Sequence, residues 1–580
     1  METKKLMSIT ETPNELTDEI DIASPMGVIR MLRQADAQIF FGWRDYPGLM
    51  DQEILVKLER CILETAKVLR NENGKVIISG AGTSGRLAMF TSRKFNIIFK
   101  EFNQPPMFDY VMAGGNKALI KSQEGAEDDP IKAVKDFQDA AKNSSPIAFY
   151  GVTCGLSAPY IAGQLDYTQN RQEIFSCLLG FNPVSRSRNI PIEKWDKTFL
   201  DVATALEKNE RAVILNPIIG PEPITGSTRM KGGSATKLLL ETIFTLAGVE
   251  SGRIPIAALS IPLLRKNISL TEKILCILNN YENAMKATYL IEDSHARIVR
   301  AGGDTLLADG HIYYIGEPPF GVLGLIDASE CPPTFGANFG DVRGFIDGGW
   351  DGLLGPGKDI SDVGLEYRIH TNNFAKEILP NLNGCDLVIA LAHKKIPRRI
   401  LTLLRKSDAK GARTACIFLN PRSEAPNFID FYLNLSLPVA SPLKNDLSFL
   451  EYSLKLLLNG LTTGAHILDG KVHKNRMIDL KISNNKLFYR TIGIISEIAN
   501  VSEDVARSAI LKAIYETDSL TEAQIKSPIS QYVSLATPKT KIVPRAILMA
   551  TGKFNLSQAT ERIKQEPIVR NIIEKLTQNS

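Results

Sequence analysis

The residues most suited to chemistry form a glycine- and hydroxyl-rich run, Gly80-Ala81-Gly82-Thr83-Ser84-Gly85-Arg86. It follows the apolar stretch Val76-Ile77-Ile78 and leads into a helical pattern, so Thr83 and Ser84 fall at a helix N-terminus. Unpaired amides and the helix dipole at such a point attract anions, and two hydroxyls complete a compact phosphate cradle. Read as G-x-G-x-x-G, the same run fits a dinucleotide site, but that fingerprint needs an acid at the end of the second strand. Here Asp109 precedes the stretch Tyr110-Val111-Met112 instead, which favours a phosphate. A tight glycine turn with incidental hydroxyls is the plainer alternative.

Three further runs carry polar chemistry. Thr153-Cys154-Gly155-Leu156-Ser157 again puts hydroxyls and a glycine after an apolar stretch. Open α/β sheets bind ligands at such edges, and two hydroxyl loops on one edge suit a monophosphate; an ordinary polar turn is the alternative. Glu124-Gly125-Ala126-Glu127-Asp128-Asp129 is an acidic cluster that reads first as a solvated helix start. The run from Gly220 to Gly233 combines glycines, hydroxyls and the cations Arg229 and Lys231, suited to holding an anionic sugar or to ordering a loop.

These runs need elements to position them. Short β-branched stretches at Val76, Tyr110, Ile147, Phe175 and Ala212 alternate with helical patterns, which predicts a parallel sheet covered on both faces. A second series starts at Ile312 and continues through Leu387, Cys416 and Tyr432. The expected layout is an N-terminal helical segment (1–74), a first α/β domain (75–268), a helical connector with a second α/β domain (269–470) and a helical cap (471–580). A chain of 580 residues exceeds one core, which agrees with several domains.

Composition narrows the function. Hydrophobic residues make up 44% and charged residues 23%, an ordinary globular balance. A net charge of +4 gives no reason to expect a nucleic-acid partner. Seven cysteines without a CxxC pair read as reduced residues of a cytoplasmic protein, and neither a signal peptide nor a membrane span is read. No metal or organic cofactor is implied.

The two series also align with one another. Gly80-Ala-Gly-Thr-Ser-Gly-Arg-Leu-Ala-Met-Phe matches Gly316-Glu-Pro-Pro-Phe-Gly-Val-Leu-Gly-Leu-Ile without gaps, and Lys237-Leu-Leu-Leu-Glu matches Lys455-Leu-Leu-Leu-Asn. A tandem duplication is expected, whose halves can pair about a pseudo-two-fold axis.

The signatures beginning at Gly80 and at Gly220 resemble those of one family, which contains bacterial N-acetylmuramic acid 6-phosphate etherases and the glucokinase regulatory proteins. Both are built on SIS (sugar isomerase) domains with flavodoxin-like parallel sheets. Etherases carry one such domain and dimerise, whereas the regulatory proteins carry two in tandem under a helical lid. Phe181-Asn-Pro-Val-Ser-Arg-Ser-Arg-Asn and Leu480-Lys-Ile-Ser-Asn-Asn-Lys486-Leu-Phe-Tyr-Arg490 are similar to the regulatory branch. The resemblance implies a sugar phosphate held by Gly82, Thr83, Ser84, Thr153, Gly155 and Ser157, with Arg229 beside them and Lys486 reaching in from the cap. Where etherases have serine in the second loop this chain has Cys154, and Thr153 is the candidate replacement hydroxyl.

The resemblance also implies a composite site. The etherase glutamate after the first loop is replaced by Lys94 in copy one and kept as Glu330 in copy two, within Asp327-Ala-Ser-Glu-Cys-Pro-Pro-Thr. The second family glutamate matches Glu127 of copy one. Glu127 would then abstract a C2 proton and Glu330 protonate the leaving ether oxygen as D-lactate departs. The main expectation is thus a carbon–oxygen lyase converting N-acetylmuramic acid 6-phosphate to N-acetylglucosamine 6-phosphate. The alternative is a fructose 6-phosphate- or fructose 1-phosphate-responsive inhibitor of a glucokinase or hexokinase. The vertebrate regulators present an apolar, aromatic segment to the kinase, and the roughly equivalent stretch here, 437–446, has no aromatic residue. Internal pairing of the two halves is compatible with a monomer.

Overall fold

The computed structural model describes residues 8–578 apart from 124, 423 and 567, so Glu124 of the acidic cluster lies outside the described residues. The first sheet comprises β1 (Lys75–Gly80), β2 (Phe108–Met112), β3 (Ile147–Val152), β4 (Ile174–Leu179) and β5 (Ala212–Leu215). They run parallel in the order β2-β1-β3-β4-β5. Every residue of β3, β4 and β5 is buried, as expected of strands covered on both faces by crossover helices. The fold class expected from the alternation of strand and helix patterns is the one the chain adopts.

The second sheet repeats the first. It contains β6 (Ile312–Gly316), β7 (Val342–Ile346), β8 (Leu387–His393), β9 (Arg413–Leu419) and β10 (Phe431–Leu435), ordered β10-β9-β8-β6-β7. Read from its other edge, this order matches the first sheet strand for strand, as a tandem duplication requires. β7 is the strand that the sequence pattern does not show, because Arg343 and Gly344 interrupt its apolar run. Both have structural reasons. The Arg343 guanidinium lies over the Phe345 and Phe339 rings, at 4.8 and 5.5 Å from their centroids. A Cβ on Gly344 would come within 2.6 Å of the Leu325 backbone.

The sheets are joined by two long helices, Leu270–Tyr289 and Glu292–Leu307, and each ends in a helix buried on all sides. In Lys231–Glu250 every residue through Val249 is buried, and in Ser448–Leu468 every residue through Ile467. These two meet in the interface between the halves, and burial of their apolar faces drives the pairing. The cap is helical from Asn485 onward, preceded by a short hairpin of Val472–His473 and Arg476–Met477. Among the described residues no helix is long and apolar enough to cross a membrane.

Lys94, opposite Glu330 in the alignment of the two copies, sits in this interface. Its ammonium contacts Glu451 at 2.8 Å, Asp446 at 2.9 Å, Glu241 at 3.0 Å and the Ser448 hydroxyl at 2.6 Å. Lys237 shares Glu241 and Glu451, and Tyr281 donates to Glu241. Burial works against the charge on Lys94, but the carboxylates of Asp446, Glu241 and Glu451 override it and hold the amine well above its usual range. For Glu451 burial pushes upward, and Lys94 and Lys237 prevail to hold its carboxyl at about 2.

Two outcomes follow. Lys94→Met leaves three buried carboxylates facing Lys237 alone, and should lower stability by about 3–5 kcal/mol in urea unfolding; a loss below about 1 kcal/mol would show that the cluster is not a structural tie. Since the Glu451 carboxyl is depressed in the folded state, its contribution is complete above its ordinary value of 4.5. That contribution is lost as pH falls from there toward about 2, so the melting temperature should fall steeply across this window, and less steeply in Glu451→Gln.

Candidate functional site

The glycine-rich run turns directly from β1 into the helix Thr83–Glu101, with Gly82 as its N-cap. A Cβ on Gly80 would lie 2.5 Å from the Gly85 amide nitrogen, so only glycine lets strand and helix approach this closely. Gly82 offers no side-chain cap, and the first-turn amides of Thr83 and Ser84 have no partner among the described residues. After β3, the Thr153 hydroxyl accepts the amides of Ser157 and Ala158 at 3.3 and 3.4 Å, which folds the 153–157 loop back toward the first. β1 and β3 flank the point where the strand order reverses, where open α/β sheets form their ligand crevice. Cys154 bridges the loops, its sulfur 3.9 Å from the Ser84 hydroxyl. Burial, reinforced by Glu222, pushes its thiol up to about 11, so it stands as a neutral wall and not a nucleophile.

Gly82, Thr83, Ser84, Thr153, Gly155, Ser157, Glu127, Glu330, Arg229 and Lys486 all line one cavity of about 140 Å³. Three parts of the chain close it. Copy two contributes Glu330, whose carboxylate is 2.5 Å from the guanidinium of Arg86. Arg86 is 1% exposed, also donates to the Leu119 carbonyl at 2.8 Å, and keeps one amino nitrogen without a hydrogen-bond partner. The cap contributes Lys486 and Asn484, which donate to Glu127 at 3.0 and 3.1 Å, while the Asn485 amide donates to Asp128 at 2.9 Å. Burial pushes the Asp128 carboxyl up to about 6 against that amide, with Glu127 adding to the rise. The N-terminal segment contributes Glu11, paired with Arg490 of the cap at 2.6 Å. Burial pushes Glu11 upward, and Arg490 overrides it to hold the carboxyl below its usual range.

The dense run 220–233 orders the assembly more than it faces the cavity. Arg229, expected to face a sugar, commits its guanidinium to Asp327, Thr462 and Thr463 of copy two at 3.0, 3.0 and 2.7 Å. Lys231 is fully buried against Gln38 and the Pro221 carbonyl. Glu222 accepts the amides of Lys231 and Gly232, satisfying the start of the buried helix. Gly226 takes a φ of +75°, a left-handed conformation that favours glycine, and a Cβ there would also push against Glu11 and the Arg490 guanidinium.

Sequence reasoning missed Arg86, Glu11, Asn484 and Arg490 as cavity residues. Arg86 ends the glycine-rich motif, and Asn484 and Arg490 lie in the quoted cap run, so their presence was visible and their partners were not. Glu11 carried no signal at all. The equivalent loop of copy two, Glu317-Pro-Pro-Phe320, carries no hydroxyl. Phe320 takes the place of Ser84, is 4% exposed, and packs edge-on against His393 with ring centroids 5.8 Å apart.

Comparison with known proteins agrees with this architecture. Models of the glucokinase regulatory protein match the N-terminal SIS domain at residues 57–169, the second SIS domain at 292–394 and the C-terminal lid domain at 474–573. The chain is 32% identical over 593 residues to the glucokinase regulatory protein of Xenopus laevis, covering 98% of this chain and 93% of that protein. It is 33% identical over 584 residues to the Homo sapiens protein of the same name, covering 97% and 91%. The N-acetylmuramic acid 6-phosphate etherase of Erwinia tasmaniensis is 35% identical, but over 223 residues that cover 38% of this chain and 70% of the etherase.

These matches correct the expectation of a carbon–oxygen lyase, since the relatives that match the whole chain are regulators and the etherase matches only part. In the structure both carboxylates assigned to acid–base chemistry pair with cations, Glu330 with Arg86 and Glu127 with Lys486. With both SIS domains and the lid matched in order along its length, the chain belongs to the glucokinase regulatory protein family.

Proposed function

We propose that this chain is a sugar-phosphate-responsive regulator that inhibits a glucokinase-class hexose kinase in the cytoplasm and has no catalytic turnover of its own. The observation that carries the reading is the cavity of about 140 Å³ roofed by the cap. In it the unpartnered amides of Thr83 and Ser84 face residues drawn from both SIS domains, the N-terminal segment and the lid. A phosphate on those amides, the two hydroxyls and the 153–157 loop leaves the sugar beside Glu127, Glu330 and Lys486. Fructose 6-phosphate or fructose 1-phosphate fits such a site as a compact anion carrying hydroxyls that the carboxylates can accept. The ligand then acts on the lid, because Lys486 and Asn484 are the groups that fasten the lid to Glu127. The names of the full-length relatives supply the kinase partner.

The 437–446 segment offers that kinase little. Leu443 is 3% exposed and pairs with Leu259, and the Lys444 amide donates to the Ala258 carbonyl at 2.9 Å, so the segment is tied down along its own surface.

Fructose 6-phosphate or fructose 1-phosphate should raise the melting temperature of the purified protein, and the protein should inhibit a glucokinase to an extent that either sugar phosphate changes. No thermal response to either sugar phosphate, together with no inhibition, would sink the reading. Ser84→Asp places a carboxylate where the phosphate would sit and should abolish the thermal response, whereas Lys486→Ala should weaken it about tenfold or more. Retention of the full response in Ser84→Asp would move the ligand to another site.

A further inference from the structure

Three distant parts of the chain meet beside the cap hairpin. Asp21 comes from the N-terminal segment, His473 from the cap hairpin and Glu574 from the last helix, Val569–Gln578. One ligand atom from each lies within 4.8 Å of the others, and His473 Nδ1 is 3.7 Å from Asp21 Oδ2. His473 Nδ1 is buried and has no hydrogen-bond partner, an uncommon position for an imidazole nitrogen. Asp21 is 6% exposed and accepts the Lys474 amide at 2.6 Å, which leaves most of its acceptor capacity unused. Burial is also the leading cause that disfavours charge on both groups, lowering His473 and raising Asp21.

The neighbouring cations are engaged elsewhere in part. Arg570 donates to the carbonyl oxygens of Asp21 and Ile467 and approaches Glu574 no closer than 3.8 Å. Lys474 extends its ammonium toward Asp18 at 3.9 Å. Ligand atoms about 2.0–2.1 Å from a tetrahedral ion lie about 3.3–3.5 Å apart, so the observed spacing closes around an ion with shifts below about 1 Å. One imidazole with two carboxylates matches the borderline-soft preference of zinc and its neighbours, and differs from the all-oxygen sets of calcium and magnesium.

We propose that Asp21, His473 and Glu574 form a site for one divalent transition cation of the zinc class, with water in the fourth position, that fastens the N-terminal segment to the hairpin and the last helix of the cap. The site leaves no sequence signature because its ligands are drawn from three segments, so no ligand spacing exists to be read. It does not depend on the proposed function, because the ion would bind whether or not the cavity takes a sugar phosphate.

The test uses the full-length protein stripped with a chelator, in a Cys385→Ser background because Cys385 is an exposed thiol that could hold zinc by itself. Zinc is titrated by calorimetry and by thermal melting, beside magnesium and calcium. One equivalent of zinc should bind and raise the melting temperature, and neither hard cation should do so at equal concentration. His473→Ala and Asp21→Asn should each weaken zinc binding by at least about 100-fold, the upper end of what losing an outer-shell partner costs. Hydrogen exchange of the unsubstituted parent needs no variant to fold: zinc should slow exchange at 472–477 and 569–578. No zinc response in the parent, unchanged affinity in both variants, or protection confined to another region would each overturn the site.

Discussion

A charge taken out of water must find an opposite charge, and the pairing of the two halves rests on that constraint. Besides the pair of Arg229 with Asp327, two sets of buried charges cross the interface. One joins Arg86 of copy one to Glu330 of copy two, and the other gathers Lys94 and Lys237 of copy one with Asp446 and Glu451 of copy two and with Glu241. Separating the halves would strand each member in an apolar surface, a cost far above that of breaking exposed ion pairs. Apolar burial supplies the attraction between the helices Lys231–Glu250 and Ser448–Leu468, and the charges fix their register.

Those charges also show how the two copies of a duplicated fold differ at equivalent places. In a symmetric pair Lys94 and Glu330 would be the same residue in equivalent places, and each would face the other half's glycine-rich loop. Here they have opposite signs. Glu330 faces Arg86 beside an open loop of glycine and hydroxyls, whereas Lys94 is surrounded by acids and the loop on its side has Phe320 packed into it. An open phosphate loop and a buried lysine cluster are different solutions to filling equivalent space. Fusion of the copies allows both to exist in one chain, because neither half needs to serve as its own partner.

Much of this was legible in the sequence. The strands of the first sheet, the duplication and the convergence of Thr83, Ser84, Thr153, Ser157, Glu127, Glu330 and Lys486 on one cavity follow from apolar runs, glycine positions and the family signatures. What was not legible depended on partners distant in sequence. β7 hid behind Arg343, whose guanidinium lies over two rings and donates to the Leu365 and Arg368 carbonyls. Arg229 read as an anion holder because its acceptors, Asp327, Thr462 and Thr463, lie in the other half. Lys94 was legible as a replaced glutamate, but not the group of acids assembled around it. Composition and spacing describe what a residue offers; the fold decides what it meets.

That distinction also separates a binding site from a catalytic one. General acid–base catalysis needs a group that gains and loses a proton as the reaction proceeds, with a partner that permits both states. A carboxylate clamped by a guanidinium or an ammonium is held in its ionised form, and protonating it would break a buried pair. Glu11 with Arg490 at the cavity's rim has that character, and Glu330 with Arg86 and Glu127 with Lys486 are likewise paired with cations. The same arrangement suits a sensor. Several of the contacts that hold the cap over the cavity are ion pairs or hydrogen bonds to carboxylates, which an arriving anion can compete for or reinforce. Under the proposed function, the energy of ligand binding is therefore exchanged with the contacts of the lid, and the two glutamates retained from a catalytic pattern become part of a lock.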